Sequence, residues 1–380
     1  MLGSMQKFIG ALARLSLVIL ASGLFWSTQS AKAQQDDKMR ALEQREQEAI
    51  AQMNADEAQN FPPLRVAVEN GDAAWVKQLL DGGADVNQQF ENHFTVIYLA
   101  PTPEIADLLL AKKPDLEIRA GMSETPLESI AEECARKNND PALRSICDRL
   151  LAAGAQYTVD AAIYLNDIDR VKKLLKAHDP EDPPWVNATQ GAHSVPLRVA
   201  AMMGRDDICK LLLDNKADPN DFKQGLGFPI IVDAMSHPTI VKMLIAAGAD
   251  LKTRITWRGG KGGLVIIGDN ATALHYAGVR GNQESVQLLI DAGIDVNAVD
   301  AWGQTALIVA VREDGMNAGR GPAADAIAKS RLDVIKYLAH GSSLTAADTQ
   351  GRTALDWAKQ IKKQDVIDAL TAASRPTTQP

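Results

Sequence analysis

The residues able to do chemistry are few and scattered. Six histidines, His93, His178, His193, His237, His275 and His340, include no His-Glu-x-x-His run and no pair four residues apart. That spacing would put two imidazoles on one helical face for zinc, and it is missing. No Gly-x-Ser-x-Gly turn is present to present a nucleophilic serine. Gly259-Gly260-Lys261-Gly262-Gly263 has the flavour of a phosphate loop, but no Ser or Thr follows the lysine. Its flanks, LKTRITW from Leu251 to Trp257 and LVII from Leu264 to Ile267, read as strands joined by glycine turn chemistry. The segment is therefore expected to be a β-hairpin with Arg254, Trp257, Arg258 and Lys261 near its tip. It is either a structural insert or a recognition finger.

The rest of the chain narrows what these groups could serve. Over 380 residues, 46% are hydrophobic and 23% charged, enough for a core, but only 5% are aromatic, which leans toward small-residue helical packing. The formal charge is −8. Such an acidic chain repels phosphate backbones and anionic lipid, which argues against nucleic-acid binding. The beginning reads as an export signal: Lys7 and Arg14, an apolar run from Leu15 to Trp26, then Ala31-Lys32-Ala33 as the cleavage site. That apolar run is shorter than the roughly 20 residues of a spanning helix. Residues 1–33 hold three bases and no acid, so the mature chain is more acidic still. Residues 34–60 are polar and charged and suit a helical linker or N-terminal cap; 374–380 read as a disordered tail.

From Phe61 one pattern returns, clearest in TALHYAGVRGNQESVQLLIDAGIDVN from Thr272 to Asn297. Thr272 suits an N-cap, Gly281 a helix end, and Val286, Leu288, Leu289 and Ile290 form an apolar stripe closed by Gly293. This segment resembles the ankyrin repeat, with its Thr-x-Leu-His-x-Ala start and Leu-Leu-x-x-Gly-x-Asp-x-Asn end. Partial copies begin at Pro63, Thr125 and Val195, and weaker ones near Thr95, Asp160, Phe228, Thr305 and Thr353. The copy at Thr95 is cut by Pro101 and Pro103, and the one at Asp160 lacks the Thr-Pro-Leu opening. The resemblance implies an all-α solenoid of about nine repeats over 61–373, with hairpin fingers along one edge and inserts at 252–268 and 313–330. The second insert, EDGMNAGRGPAADAIAKS, reads as a mobile loop.

The repeat frame assigns roles to the remaining candidates. His275 is expected to hydrogen-bond a neighbouring loop. Trp302 falls at a finger tip, where it either stacks on the next finger or anchors a partner. Cys134 and Cys147 face each other across one helix pair; they are either a disulfide, with Cys209 free, or buried thiols.

The class that the resemblance implies is a non-enzymatic protein-binding scaffold, periplasmic or secreted, its partner docking on the concave face and fingers. Arg254, Arg258 and Lys261 favour a partner with an acidic surface. No cofactor, nucleic acid or membrane insertion after cleavage is expected. The alternatives are an effector acting on host proteins and an enzyme with an unrecognised site. Cleavage after Ala33 predicts Gln34 as the first residue in intact-mass analysis of the exported protein; a full-length, membrane-embedded product would contradict it.

Overall fold

The computed structural model describes residues 62–121, 123–177, 195–221, 228–255, 267–280, 282–316 and 322–374. The expected signal and linker (1–33 and 34–60), the hairpin tip with Trp257, Arg258 and Lys261, and the last six residues lie outside them. The chain divides into Met1–Pro63 and Leu64–Pro380, and the second unit carries the fold.

Short helices in pairs make up this unit. They are α1 Pro63–Glu69 with α2 Ala73–Asp81, a 3-10 turn Val96–Leu99 with α3 Pro103–Leu110, and α4 Pro126–Arg136 with α5 Pro141–Ala152. Then come α6 Val159–Tyr164 with α7 Ile168–Lys176, α8 Pro196–Met202 with α9 Asp206–Asp214, and α10 Ile230–Asp233 with α11 Pro238–Ala246. The last are α12 Ala273–Arg280 with α13 Gln283–Asp291, α14 Ala306–Met316 with α15 Pro322–Gly341, and α16 Ala354–Ile361 with α17 Gln364–Ala373. First members stack on first members from Val96–Leu99 to α16.

Local chemistry sets where these helices start. Thr125 opens α4 with a capping box: its hydroxyl accepts from the Glu128 N–H at 3.3 Å, and the Glu128 carboxylate accepts from the Thr125 N–H at 2.9 Å. Asp72, Asp140, Asp167 and Asn282 cap second-position helices through their side-chain oxygens alone, each accepting from first-turn N–H groups. Pro101 and Pro103 leave room for only one 3-10 turn before α3, where Pro103 is tolerated in the first turn.

Each pair turns apolar side chains to both neighbours. Leu127, Ile146, Leu150, Ile163, Leu197, Ile208 and Leu212 are fully buried. They belong to one cluster that runs from Leu64 to Leu370. Each such side chain contributes about 1.5–3 kcal/mol on burial.

The insert at 313–330 corrects the expectation of a loop. Residues 313–316 continue α14 and 322–330 begin α15, which reaches 20 residues. The run Pro322-Ala323-Ala324-Asp325-Ala326-Ile327-Ala328 puts proline at the start of strong helix formers, so the added length extends the helix.

Polar ladders fix the loops. In each Asp-x-Asn turn the aspartate accepts from the backbone two residues on: Asp85 from Asn87, Asp218 from Asn220, Asp295 from Asn297, at 2.9–3.0 Å. The asparagine then reaches the next pair. Asn87 Oδ1 accepts from Asp115 N–H at 2.8 Å, Asn220 Oδ1 from Asp250 at 2.7 Å, and Asn297 Oδ1 from Ser343 at 2.7 Å. The fingers close on antiparallel bridges, Ala120 with Glu124, Ile255 with Ala271, and Ala347 with Thr353.

His275 ties a first helix to the following finger. The Thr272 N–H donates to its Nδ1 at 3.1 Å, which fixes the proton on Nε2, and Nε2 donates to the Gln304 carbonyl at 2.9 Å. The Thr272 hydroxyl meets the same ring at 2.8 Å rather than capping α12. Burial holds the imidazole below its ordinary pKa of 6.5. The unfolded chain takes a proton near that value and the fold resists it, so the network stabilises at neutral pH and weakens as pH falls below about 6.5. His275→Ala is expected to cost about 2–4 kcal/mol in urea denaturation and to flatten the acid slope. An unchanged slope would remove His275 as its source.

Candidate functional site

The face to examine is the one built by first helices and fingers, because there side chains leave the shared core. Its three C-terminal fingers are locked in register. Ala301 N–H donates to the Asp269 carbonyl at 2.6 Å, and Thr349 N–H donates to the Trp302 carbonyl at 2.8 Å. Gly303, at φ +72°, permits the second contact, since a Cβ there would lie 3.1 Å from the Thr349 nitrogen. Gly268 permits another: its N–H donates to Asp300 at 2.7 Å, where a Cβ would meet Asp300 and the Trp302 ring at 3.0–3.1 Å.

Two buried aspartates organise these fingers. Asp300 accepts from the N–H groups of Trp302, Gln304 and Gly268 and from the Gln304 side chain. Asp348 accepts from the N–H groups of Gln350 and Arg352, from the Arg352 guanidinium and from the Trp357 indole at 2.9 Å. The Arg352 guanidinium lies 3.8 Å from the Trp357 ring centre, and Arg312 lies 4.5 Å from the same ring and 5.9 Å from Trp302. Trp302 itself is 42% exposed.

Arg254 is placed lower than a tip. Its guanidinium donates to the carbonyls of Asn270 and Val299 at 3.3 Å each, bridging its own finger to the next. Trp257, Arg258 and Lys261 lie outside the described residues, so Arg254 and Trp302 are the two candidates that can be placed. An open groove of about 470 Å³ lies behind Arg254, between Ile245, Leu251, Lys252 and Asp295.

At the other end, a carboxyl cluster sits on α4. Glu128 joins two repeats by accepting from Thr158 Oγ1 at 2.8 Å. Burial, then the charges of Glu132 and Glu128, push the Glu124 carboxyl up to about 7. Tyr98 donates to the Glu124 backbone carbonyl at 2.7 Å. Farther along, Arg198 donates to Asp233 at 2.7 Å and to the Phe228 carbonyl at 2.5 Å. Arg312, Trp357 and Glu124 were not among the sequence candidates. A tryptophan within a repeat opening, four residues after Thr353, was the available signal for the first two.

Cys134, Cys147 and Cys209 are buried free thiols, so the bridge between facing positions is not formed here. The Cys134 thiol donates toward the Asp140 carbonyl at 3.6 Å. Burial pushes Cys147 and Cys209 up to about 12, withholding the thiolate that exchange requires. Among the described residues no group of three or more His, Cys, Asp or Glu is placed to hold a metal. No described helix is long and apolar enough to cross a membrane.

Comparison with known proteins matches this geometry to a family. The profile described as ankyrin repeats (three copies) matches residues 237–320, and the single ankyrin-repeat profile matches 59–90 and 194–223. These segments thus match ankyrin-repeat models, and the described fold, helical and without a sheet, is that of an all-α ankyrin solenoid. An ankyrin repeat domain-containing protein of Stachybotrys chartarum is 23% identical over 304 residues, 71% of this chain and 14% of that one. Ankyrin repeat and SAM domain-containing protein 6 of Rattus norvegicus is 34% identical over 84 residues, 22% of this chain and 10% of that one. The chain therefore spans a small part of the length of these relatives. A crystallised ankyrin repeat domain from Acinetobacter baumannii AYE is 26% identical, with a TM-score of 0.44, covering 57% of this chain and 97% of that one.

The Glu124 carboxyl gives this face a pH dependence of unusual sign. Between its ordinary 4.5 and about 7 the fold keeps a proton that the unfolded chain has released. Stability from this group is complete below 4.5 and falls as pH rises through 7. Glu124→Gln, neutral throughout, is expected to raise the thermal midpoint relative to wild type at pH 8 and to leave the two close at pH 5. Parallel midpoints at both pH values would show that Glu124 ionises at its ordinary value.

Proposed function

We propose that this chain is an exported, non-enzymatic scaffold that binds a protein partner on its finger and first-helix face. The observation that carries the reading is the registered finger ladder, which holds the half-exposed Trp302 ring in one place. A rigid scaffold that displays an aromatic at low entropic cost is suited to recognition. The ankyrin repeats support the same class. Export rests on the sequence of residues 1–33, and the acidic character of the partner rests on the bases Arg254, Arg258 and Lys261 set in an acidic chain.

The test is quantitative capture of the partner from the native envelope, with mass spectrometry. The joint variant Trp257→Ala, Arg258→Ala, Lys261→Ala and the variant Trp302→Ala are run beside wild type. The same protein should be enriched by wild type and retained about tenfold less by each variant, as expected for loss of a hot-spot residue. Thermal midpoints should stay near wild type. Equal retention by wild type and both variants would take the fingers out of the binding site.

A further inference from the structure

Arg312 stands out in electrostatic terms. Its guanidinium is half-buried, yet among the described residues its one hydrogen bond goes to the neutral Gln304 side chain. It makes no ion pair among the described residues. The two aspartates near it, Asp300 and Asp348, are already filled by backbone N–H groups, the Gln304 amide, the Trp357 indole and Arg352. Arg352 adds a second positive charge nearby. Burial, then Arg352, lower the Arg312 pKa, while the charges of Asp348 and Asp300 act in the other direction. A half-buried guanidinium bonded to a single neutral amide among the described residues keeps N–H donors available for a further acceptor.

The surroundings describe what would complete it. Arg312 lies over Trp357 at 4.5 Å and within 5.9 Å of Trp302, whose ring is 42% exposed. Indole faces hold a guanidinium without using its N–H edge, so the N–H groups that Gln304 does not take stay available. One fork takes one carboxylate in bidentate fashion, and an apolar rim beside it excludes water. A polyphosphate chain fits poorly, since the site offers a fixed fork and the chain as a whole carries −8.

We propose that Arg312, framed by Trp302 and Trp357, is the anchor for a single Asp or Glu side chain on an extended segment of the partner protein. This rests on the scaffold reading above and names the chemistry of one contact within it. Arg312 comes from α14, Trp302 from a finger and Trp357 from α16, so the anchor forms only when adjacent repeats are in register.

The probe is a fluorescein-labelled peptide of alternating glycine and glutamate, with a glycine–glutamine peptide as control and a single-stranded DNA oligonucleotide as the polyanion. Fluorescence anisotropy is measured on the full chain. Wild type should bind the glutamate peptide saturably and weaken with added salt, while glutamine and DNA probes bind at least tenfold less. Arg312→Gln should lose about tenfold in affinity, and Arg312→Lys, which keeps the charge but not the fork, should not restore it. Circular dichroism melts of both variants accompany the titrations. No glutamate binding to wild type, equal binding by Arg312→Gln, or stronger binding of DNA would each overturn the anchor. A lowered melting midpoint with unchanged peptide affinity would make Arg312 a finger brace only. In every one of these cases the partner-capture experiment on the finger variants still decides the scaffold reading separately.

Discussion

A helix of seven to eleven residues carries one apolar stripe, and a pair of them has two outward faces to cover. Neither face can be buried within the pair. Each unit is therefore stable only against its neighbours, and the continuous cluster from Leu64 to Leu370 is the outcome. The rest follows from that dependence. Helices of this length gain much of their definition from caps, which explains the Thr, Asp and Asn at so many N-termini. Loops must lie in register, because a slip in one turn would misplace every helix that stacks after it.

Register is kept by polar groups that reach one unit forward. Asn87, Asn220 and Asn297 do so at the turns, His275 at the helix start, and the Ala301 and Thr349 N–H groups along the fingers. These bonds are strong where they are buried, since an unmatched partner would stay desolvated. The same logic makes Asp300 and Asp348 wholly structural. Asp300 spends its lone pairs on its own finger and on Gly268 of the preceding one, Asp348 on its own finger and the Trp357 indole, and the charge of neighbouring arginines is left to be met differently. Arg352 shares Asp348, whereas Arg312 has only indole faces and an amide.

The legible part of this arrangement is the part that repeats. Thr-x-Leu and Asp-x-Asn recur because each serves a local role at a fixed offset, so spacing alone revealed them. Arg312 was not legible, as its meaning depends on Trp357, 45 residues on and in the next repeat but closer than 5 Å in space. Glu124 was hidden for a related reason: its raised pKa comes first from burial and then from the charges of Glu132 and Glu128. The 313–330 segment was misread because glycines at one end signalled a loop, while the alanine-rich end set the conformation. The facing of Cys134 and Cys147 was readable, but the direction of the Cys134 thiol toward Asp140 was not.

Core and face therefore answer to different physics within one helix. On α14, Leu307, Ile308 and Ala310 are buried and fixed by volume, and substitution there would propagate through stacked neighbours. Arg312, one turn later, leaves that core at the edge of the fingers, where the Gln304 side chain and the rings of Trp302 and Trp357 hold it. A residue needed only for stacking would be served there by leucine or methionine, which bury their surface without a desolvated ion. An arginine beside two indoles gains further when a carboxylate shares its site, because the N–H groups that the rings leave unused then find an acceptor. The position thus makes physical sense as part of a surface that is completed by another molecule.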